Sequence, residues 1–245
     1  SLKQLEEDEA AARKVQFQLL PEPDLTHGNL SFSHFIKPSA FLSGDFVDYF
    51  NIDNGRWGFY IADVSGHGAS SAFVTVLIKS MMSYLLEEFL HHRNETILQP
   101  DNVLDHLGQR ISEQNLGKYA TFFYGVLDER EDTLTYANGG HFPRPILNGN
   151  GQTRFLEEKR LPIGLFKNSK YHSTTVNLSK KFVIAAFSDG VFEVLKQEEV
   201  KDQQEYLLGL VDENDLQMSD LVEELKLDSK ISPPDDVTLL LIRKT

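Results

Sequence analysis

Short strand-like segments joined by turn signals fill most of the chain, and this pattern limits what it can fold into. Phe32, His34 and Ile36 stand at every second position of one predicted strand, and Asp53-Asn54-Gly55 is a hairpin signal between two further strands. Residues 119–156 have the pattern of a strand meander with turns rich in Asp, Asn and Gly. Because helical segments come in blocks, the sequence predicts an α+β fold of antiparallel sheets flanked by helices.

Helical segments separate or follow these strands. Residues 1–20 are predicted as a charged helix that Pro21 and a second proline end, either as a solvated surface helix or as a connector to an upstream domain. We therefore divide the chain into a linker or regulatory helix, 1–24, and one domain, 25–245. Asp101 is the predicted cap of its helix. Apolar spacing predicts the other helices over 67–92, 101–115, 198–211 and 216–227.

Composition excludes several classes of function. The net charge is −13, and the sequence has no cluster of Lys and Arg that could bind phosphates, which argues against nucleic acid as a partner. The chain has no Cys, so disulfides, zinc–thiolate sites and cysteine nucleophiles are excluded. No apolar run approaches the roughly 18 residues of a membrane span. We expect a cytoplasmic protein without a membrane segment.

Aspartates stand at the ends and beginnings of several predicted strands. Asp63 and Asp189 each end a strand, Asp45 begins one, and Asp235 and Asp236 precede the last one. In antiparallel sheets the end of one strand lies beside the start of its neighbour, so these side chains can meet at one edge. Each alone is typical of a turn, but clustered carboxylates repel one another unless a cation separates them. The pattern predicts an acidic site for Mg²⁺, Mn²⁺ or Ca²⁺.

These same segments carry a resemblance. Together with the opening helix, Ala11 to Pro21, they resemble the metal-dependent protein Ser/Thr phosphatases (PPM, type 2C), in their bacterial branch of sporulation stage-II and general-stress phosphatases. The likeness covers nearly the whole chain and implies an αββα sandwich of two mainly antiparallel sheets. The segments are Leu42-Ser43-Gly44-Asp45-Phe46-Val47-Asp48, Ile61-Ala62-Asp63-Val64-Ser65-Gly66-His67-Gly68, Tyr136-Ala137-Asn138-Gly139-Gly140-His141-Phe142-Pro143, Ser188-Asp189-Gly190-Val191-Phe192-Glu193 and Asp235-Asp236-Val237-Thr238-Leu239-Leu240.

The resemblance also implies a ligand set for two ions, Mn²⁺ or Mg²⁺. Asp63 would bridge both metals, and the backbone carbonyl of Val64 would bind one of them. Asp45 would hold the second metal, and Asp189 and Asp235 the first. Asp236 is the alternative to its neighbour at this position. Asp63 and Asp189 are the residues to which we assign the catalytic role.

The implied reaction is hydrolysis of phosphoserine or phosphothreonine by a water that the two metals activate. His67 and His141 are candidate proton donors, with a structural role as the alternative for each. Asp48 is either a supporting residue or a solvent-facing strand residue. An equivalent of the arginine with which some relatives hold phosphate cannot be assigned. Lys37 and Arg144 are its nominal candidates.

The resemblance further implies a place in bacterial signalling. We expect a phosphorylated anti-sigma-factor antagonist as substrate and an upstream receiver or sensory domain, as in two-component response regulators. Residues 1–20 would transmit the signal by packing against helix 67–92, and could also form a homodimer contact. Two alternatives remain: a silent pseudophosphatase acting as a binding module, and a structural Ca²⁺ site on a partner-binding domain.

Overall fold

Two antiparallel β-sheets lie face to face, with helices on both outer sides, in a computed structural model of the chain that describes residues 2–157, 160–213 and 215–245. The described helices are α1 (Leu2–Gln18), α2 (Ala69–His92), α3 (Pro100–Glu113), α4 (Val200–Val211) and α5 (Met218–Glu224). The described strands are β1 (Asp24–His27), β2 (Leu30–Lys37), β3 (Asp45–Asp53), β4 (Arg56–Val64), β5 (Ala120–Asp128), β6 (Thr133–Gly139), β7 (Ile146–Gly149), β8 (Gln152–Phe155), β9 (Thr174–Asn177), β10 (Phe182–Phe187) and β11 (Val237–Lys244).

The strand order explains how distant parts of the chain meet. One sheet has the order β1-β2-β11-β10-β7-β8 and the other the order β3-β4-β5-β6-β9. The second sheet is built mostly from sequential hairpins, as the turn signals predict. In the first sheet the last strand, β11, lies between β2 and β10. This insertion places the segment before β11 beside the end of β10.

Side-chain alternation along the strands creates three apolar layers. On β4, Phe59 and Ile61 pack between the sheets. Tyr60 and Ala62 point the other way, against α2 and α3. The outer face of the first sheet is covered by α4 and α5. The αββα sandwich that the resemblance implies is therefore confirmed, and the layers hold the strand ends at fixed positions along one edge.

Helix α2 differs from expectation in one respect. By length and composition alone, α2 is long and apolar enough to cross a membrane, and it is the one such helix in the described part of the chain. The expectation that no segment approaches such a span was therefore too strict, because few charges interrupt this helix. Its buried side chains, including Val74, Ile78 and Met82, pack on the second sheet, as in the core helix of a globular domain.

The remaining helix predictions agree with the structure in type and place. Helix α1 covers most of 1–20, and Ser1 lies outside the described residues. The cap predicted at Asp101 is wrong. Gln99 takes the capping position and Pro100 the first turn, where a missing N–H costs nothing. The Asp101 carboxylate instead accepts a hydrogen bond from Ser173 (2.9 Å).

Candidate metal centre

Four aspartates come together at the edge where β4 and β10 end and β3 and β11 begin. Asp45 and Asp63 are direct register partners in the β3–β4 pair, so their side chains leave the same face of the sheet. Asp189 follows β10 and Asp235 shortly precedes β11, its antiparallel neighbour. The Asp63 carboxyl lies close enough to Asp189 and Asp235 for their charges to raise its pKa. The sequence prediction of a shared edge is thus matched by strand pairing.

Glycines allow the backbones at this edge to approach closely. A Cβ on Gly190 would lie 2.0 Å from the carbonyl oxygen of Asp236, a distance that no side chain tolerates. A Cβ on Gly44 would lie 3.1 Å from the carbonyl oxygen of Val64. The glycine after the strand-end aspartate is therefore required by contact between two segments, and it brings Asp189 toward Asp235.

Burial and mutual repulsion raise the pKa values of these carboxyl groups. Burial, followed by the neighbouring Asp189 carboxyl, raises the pKa of Asp63 to about 8. Burial, followed by the charge of Asp63, raises the pKa of Asp45 well above its usual range. Partial burial and the Asp235 carboxylate raise the pKa of Asp189. A nearby cation would favour the ionised form of all of them.

Hydroxyl groups fix the orientation of Asp45, which is fully buried. Thr238 Oγ1 donates a hydrogen bond of 2.6 Å to one carboxylate oxygen of Asp45. Ser188 supports Thr238 in turn, since its Oγ accepts the backbone N–H of Thr238 (2.9 Å) and donates to the carbonyl oxygen of Asp236 (3.2 Å). The backbone N–H of Asp45 donates to Ser43 Oγ (3.1 Å). Ser188 and Thr238 lie within the family-like segments but had no predicted role. Their position beside the strand-end aspartates was the available signal.

Asp236 has a different environment from its neighbour. One oxygen accepts from the backbone N–H (2.7 Å) and hydroxyl (2.9 Å) of Ser39. The other accepts from Ser43 Oγ (3.1 Å) and the backbone N–H of Gly44 (2.8 Å). Both oxygens are therefore occupied by protein donors. Asp235 is exposed and accepts the backbone N–H of Asp236 (2.8 Å), which leaves its second oxygen available.

The carboxylates suit a hard divalent cation by their chemistry, although in this structure they are not arranged around one common position. In the part of the chain that the structure describes, no three His, Asp or Glu side chains form a ready-made metal group. Like charges this close are held apart unless protons or cations neutralise them. Carboxylate and carbonyl oxygens are the ligands that Mg²⁺ and Mn²⁺ prefer. The residues present therefore suit such ions.

Asp48 follows neither of its two expected roles. It leaves the sheet face opposite to Asp45, beneath α2, and is buried. Its carboxylate pairs with the Lys79 ammonium of α2 at 2.6 Å. Burial nevertheless raises the pKa of Asp48, and the lysine opposes that shift. The residue joins a strand to a helix rather than facing solvent or the acidic cluster.

The two candidate phosphate-holding cations have other partners. Lys37 Nζ donates to the carbonyl oxygen of Leu227 (2.9 Å) and to Ser229. Arg144 forms an ion pair with Glu157. Neither side chain is therefore held toward the acidic edge.

The two histidines also separate. Asn138 caps the turn at His141, accepting from its backbone N–H (2.7 Å) and donating to its carbonyl oxygen (3.1 Å). Burial lowers the pKa of His141 to about 4, so its ring is neutral near pH 7 and suits the structural role. His67 lies exposed on the turn between β4 and α2.

Helix α1 contacts α2, as expected for residues 1–20, and it also contacts the segment that leads into β3, which was not expected. Gln16, which is buried, donates to the carbonyl oxygen of Ser43 (2.7 Å) and to Thr75 Oγ1 of α2 (2.9 Å). Its amide oxygen accepts the backbone N–H of Ser43 (3.1 Å). A glutamine in a charged helix gave no sequence signal for such a role.

Comparison with known proteins gives a consistent result. The family model for stage II sporulation protein E (SpoIIE) matches residues 53–245. The chain is 27% identical over 187 residues to phosphoserine phosphatase RsbP of Bacillus subtilis, covering 74% of this chain and 44% of that protein. It is 31% identical over 185 residues to phosphoserine phosphatase RsbU of the same organism, covering 74% and 52%. The chain thus spans about half the length of these relatives.

Solved structures share the fold. The SiaA-PP2C domain of Pseudomonas aeruginosa superposes with a TM-score of 0.78 at 19% identity, covering 99% of this chain and 98% of that one. RsbX, solved in complex with magnesium, has a TM-score of 0.68 at 16% identity, covering 91% and 98%. At these identities the structures support the architecture alone.

Proposed function

The chain belongs to the SpoIIE-type family of PP2C phosphatase domains and is a phosphatase, and from this premise we propose that it hydrolyses phosphoserine or phosphothreonine on a protein with two divalent cations. The observation that carries the proposal is the acidic edge itself. Its four aspartates come from four strand ends, and the carboxyl groups of Asp45, Asp63 and Asp189 have raised pKa values. Magnesium in the related RsbX structure agrees with such a site.

We assign the ligands residue by residue. Asp63 would serve both ions, and the Val64 carbonyl and Asp45 would serve one of them. Asp189 and Asp235 would serve the other. When bound, the cations would polarise the phosphoryl group and lower the pKa of an attacking water. The Thr238 hydroxyl keeps Asp45 oriented by donating to its carboxylate, and Ser188 holds the backbone of Thr238 in place.

We assign Asp236 to the support of the segment 39–44 rather than to the metals, because both its oxygens accept protein donors. His67 is the side chain suited to protonate the leaving serine oxygen, since it is exposed on the turn that follows Asp63 and β4, and water is the alternative donor. The neutral, buried His141 supports the turn that follows β6.

Exposed apolar side chains around the edge favour a protein substrate over a small phosphomonoester. Phe41 lies in the segment that bonds to Asp236. Phe142 packs on Phe192, which lies in the short helix that follows β10, and the two ring centroids are 5.4 Å apart. Ile231, 79% exposed, lies in the loop that leads into β11. A folded partner could cover these side chains while presenting its phosphorylated residue.

Within this class we propose a phosphorylated anti-sigma-factor antagonist as the substrate, in the cytoplasm. RsbP and RsbU, which carry the name phosphoserine phosphatase, support this choice. An upstream receiver or sensory domain would act through α1, whose Gln16 bonds to both Ser43 and α2. A homodimer contact through α1 belongs to the same proposal.

The test is hydrolysis of p-nitrophenyl phosphate and of a phosphoserine protein with Mn²⁺, and with EDTA. We expect metal-dependent turnover that falls at least a hundredfold in Asp63→Asn and in Asp189→Asn. Asp202→Asn, on the exposed side of α4, is the matched control and should keep wild-type activity. A wild-type protein that binds Mn²⁺ but releases no phosphate from either substrate would contradict the proposal and favour a binding module.

A further inference from the structure

Lys118 occupies a place beside the acidic edge that no motif assigns. It stands just before β5, whose first residue, Ala120, pairs with Val64 at the end of β4. The backbone of Tyr119 exchanges hydrogen bonds with Ser65, accepting from its N–H (2.9 Å) and donating to its Oγ (3.1 Å). The segment before β5 is thereby fixed beside the turn that follows Asp63.

The side chain of Lys118 folds back onto that turn. Its ammonium donates to the carbonyl oxygen of Ser65 (3.0 Å) and to Ser71 Oγ (3.3 Å). Ser71 is buried in the first turn of α2 and donates to the same carbonyl oxygen (3.0 Å). Two donors therefore converge on the Ser65 carbonyl, one peptide beyond the Val64 carbonyl, and both acceptors of the lysine are neutral groups.

Gly66 makes room for this ammonium. A Cβ on Gly66 would lie 2.6 Å from Lys118 Nζ, and its φ of +81° is one that residues with side chains rarely adopt. On the other side of the turn, Gly44 approaches the Val64 carbonyl and accepts the Val64 N–H (3.0 Å). Val64 is thus fixed on one side by Gly44, and the residue after it, Ser65, is fixed by Tyr119 through its N–H and by Lys118 and Ser71 through its carbonyl oxygen.

We propose that Lys118 is a positioning residue for the metal site: its ammonium locks the turn 64–68, and through that turn it sets the direction of the Val64 carbonyl. The inference rests on the proposed function, because it concerns the same site. Its effect falls on divalent-cation affinity rather than on the chemical step. Residues that orient metal ligands without touching the metal change affinity by about ten- to a hundredfold when they are removed.

The experiment compares wild type, Lys118→Met and Lys118→Arg with Lys201→Met as control, since Lys201 lies exposed on α4. Mn²⁺ is titrated by calorimetry without substrate, and p-nitrophenyl phosphate hydrolysis is measured against Mn²⁺ concentration. We expect Lys118→Met to raise the Kd for Mn²⁺ about tenfold or more, with kcat recovered at saturating Mn²⁺. Lys118→Arg should restore most of the affinity, because a guanidinium still donates to the Ser65 carbonyl.

Other outcomes are decisive in different ways. Wild-type Mn²⁺ affinity in Lys118→Met would overturn the inference while leaving the proposed function intact. A raised KM for substrate at unchanged Mn²⁺ affinity would also overturn it, in favour of direct substrate contact. If Lys118→Met fails to fold, Ser71→Ala serves instead and should weaken Mn²⁺ binding in the same direction. A wild-type protein that binds no Mn²⁺ would refute both the proposed function and this inference.

Discussion

At the scale of single residues, the adjacent Asp235 and Asp236 have the same side chain but different surroundings, and these give them different roles. Asp236 is buried, and its four hydrogen bonds tie the start of β11 to the segment 39–44. Asp235 is exposed beside Asp189, whose pKa it raises. One carboxylate therefore serves the fold, and the other is free for a ligand.

This division predicts opposite phenotypes for the two asparagine variants. Asp236→Asn should lose about 2 kcal/mol of unfolding free energy, because charge-assisted hydrogen bonds are replaced by weaker ones. Asp235→Asn should keep its stability in EDTA and lose Mn²⁺ affinity at least tenfold. Thermal unfolding in EDTA and calorimetric Mn²⁺ titration measure the two effects. Metal loss in Asp236→Asn without loss of stability would reverse our assignment.

At the scale of secondary-structure elements, the site depends on how closely β10 and β11 approach at one end. The segment after β10 passes so near the segment before β11 that no side chain fits at Gly190. Register in the β3–β4 pair similarly places Asp45 opposite Asp63. The helices contribute by closing the outer faces of both sheets, so the strand ends cannot slide apart.

Gly190→Ala tests this close approach. The added methyl would meet the Asp236 carbonyl oxygen at 2.0 Å, and because that oxygen is backbone, the two segments must separate. We expect a loss of about 3 kcal/mol or more in unfolding free energy, together with weaker Mn²⁺ binding. Gly209→Ala is the matched control. Nothing lies within 4 Å of its Cβ in α4, and it should gain about 0.5–1 kcal/mol. Equal denaturation midpoints for the two variants would disprove the argument.

At the scale of the whole molecule, hydrogen bonds through Gln16 and Ser43 connect α1 to the acidic edge. Gln16 bonds to Ser43, and Ser43 in turn bonds to Asp236 and to the backbone of Asp45. The upstream domain proposed above would act on the metal centre through this connection.

Gln16→Ala should therefore alter the site without touching it. We expect weaker Mn²⁺ affinity by several-fold and faster amide hydrogen exchange across 39–48, because Ser43 loses both of its bonds to the helix. Gln18→Ala, at an exposed position of the same helix, should change neither quantity. Identical metal affinity and exchange in Gln16→Ala would remove α1 as a route to the metal centre.

The sequence alone determined the strands, the helices and the edge at which the aspartates meet. Those features follow from local periodicity, turn residues and the geometry of antiparallel pairs, all of which are written in neighbouring residues. Asp45, Asp63 and Asp189 could be named in this way. The resemblance added the αββα layering, which the strand pattern by itself left open.

Tertiary structure alone decided which polar groups pair. The Asp48 ion pair with Lys79, the Asp236 bonds to Ser39 and the Lys118 contact with Ser65 each join residues far apart in the chain. No periodicity encodes such partners, because a side chain's burial and bonding depend on which elements the packed core brings beside it. The sequence therefore indicated where the chemistry lies, and the packing of the two sheets decided which residues support it.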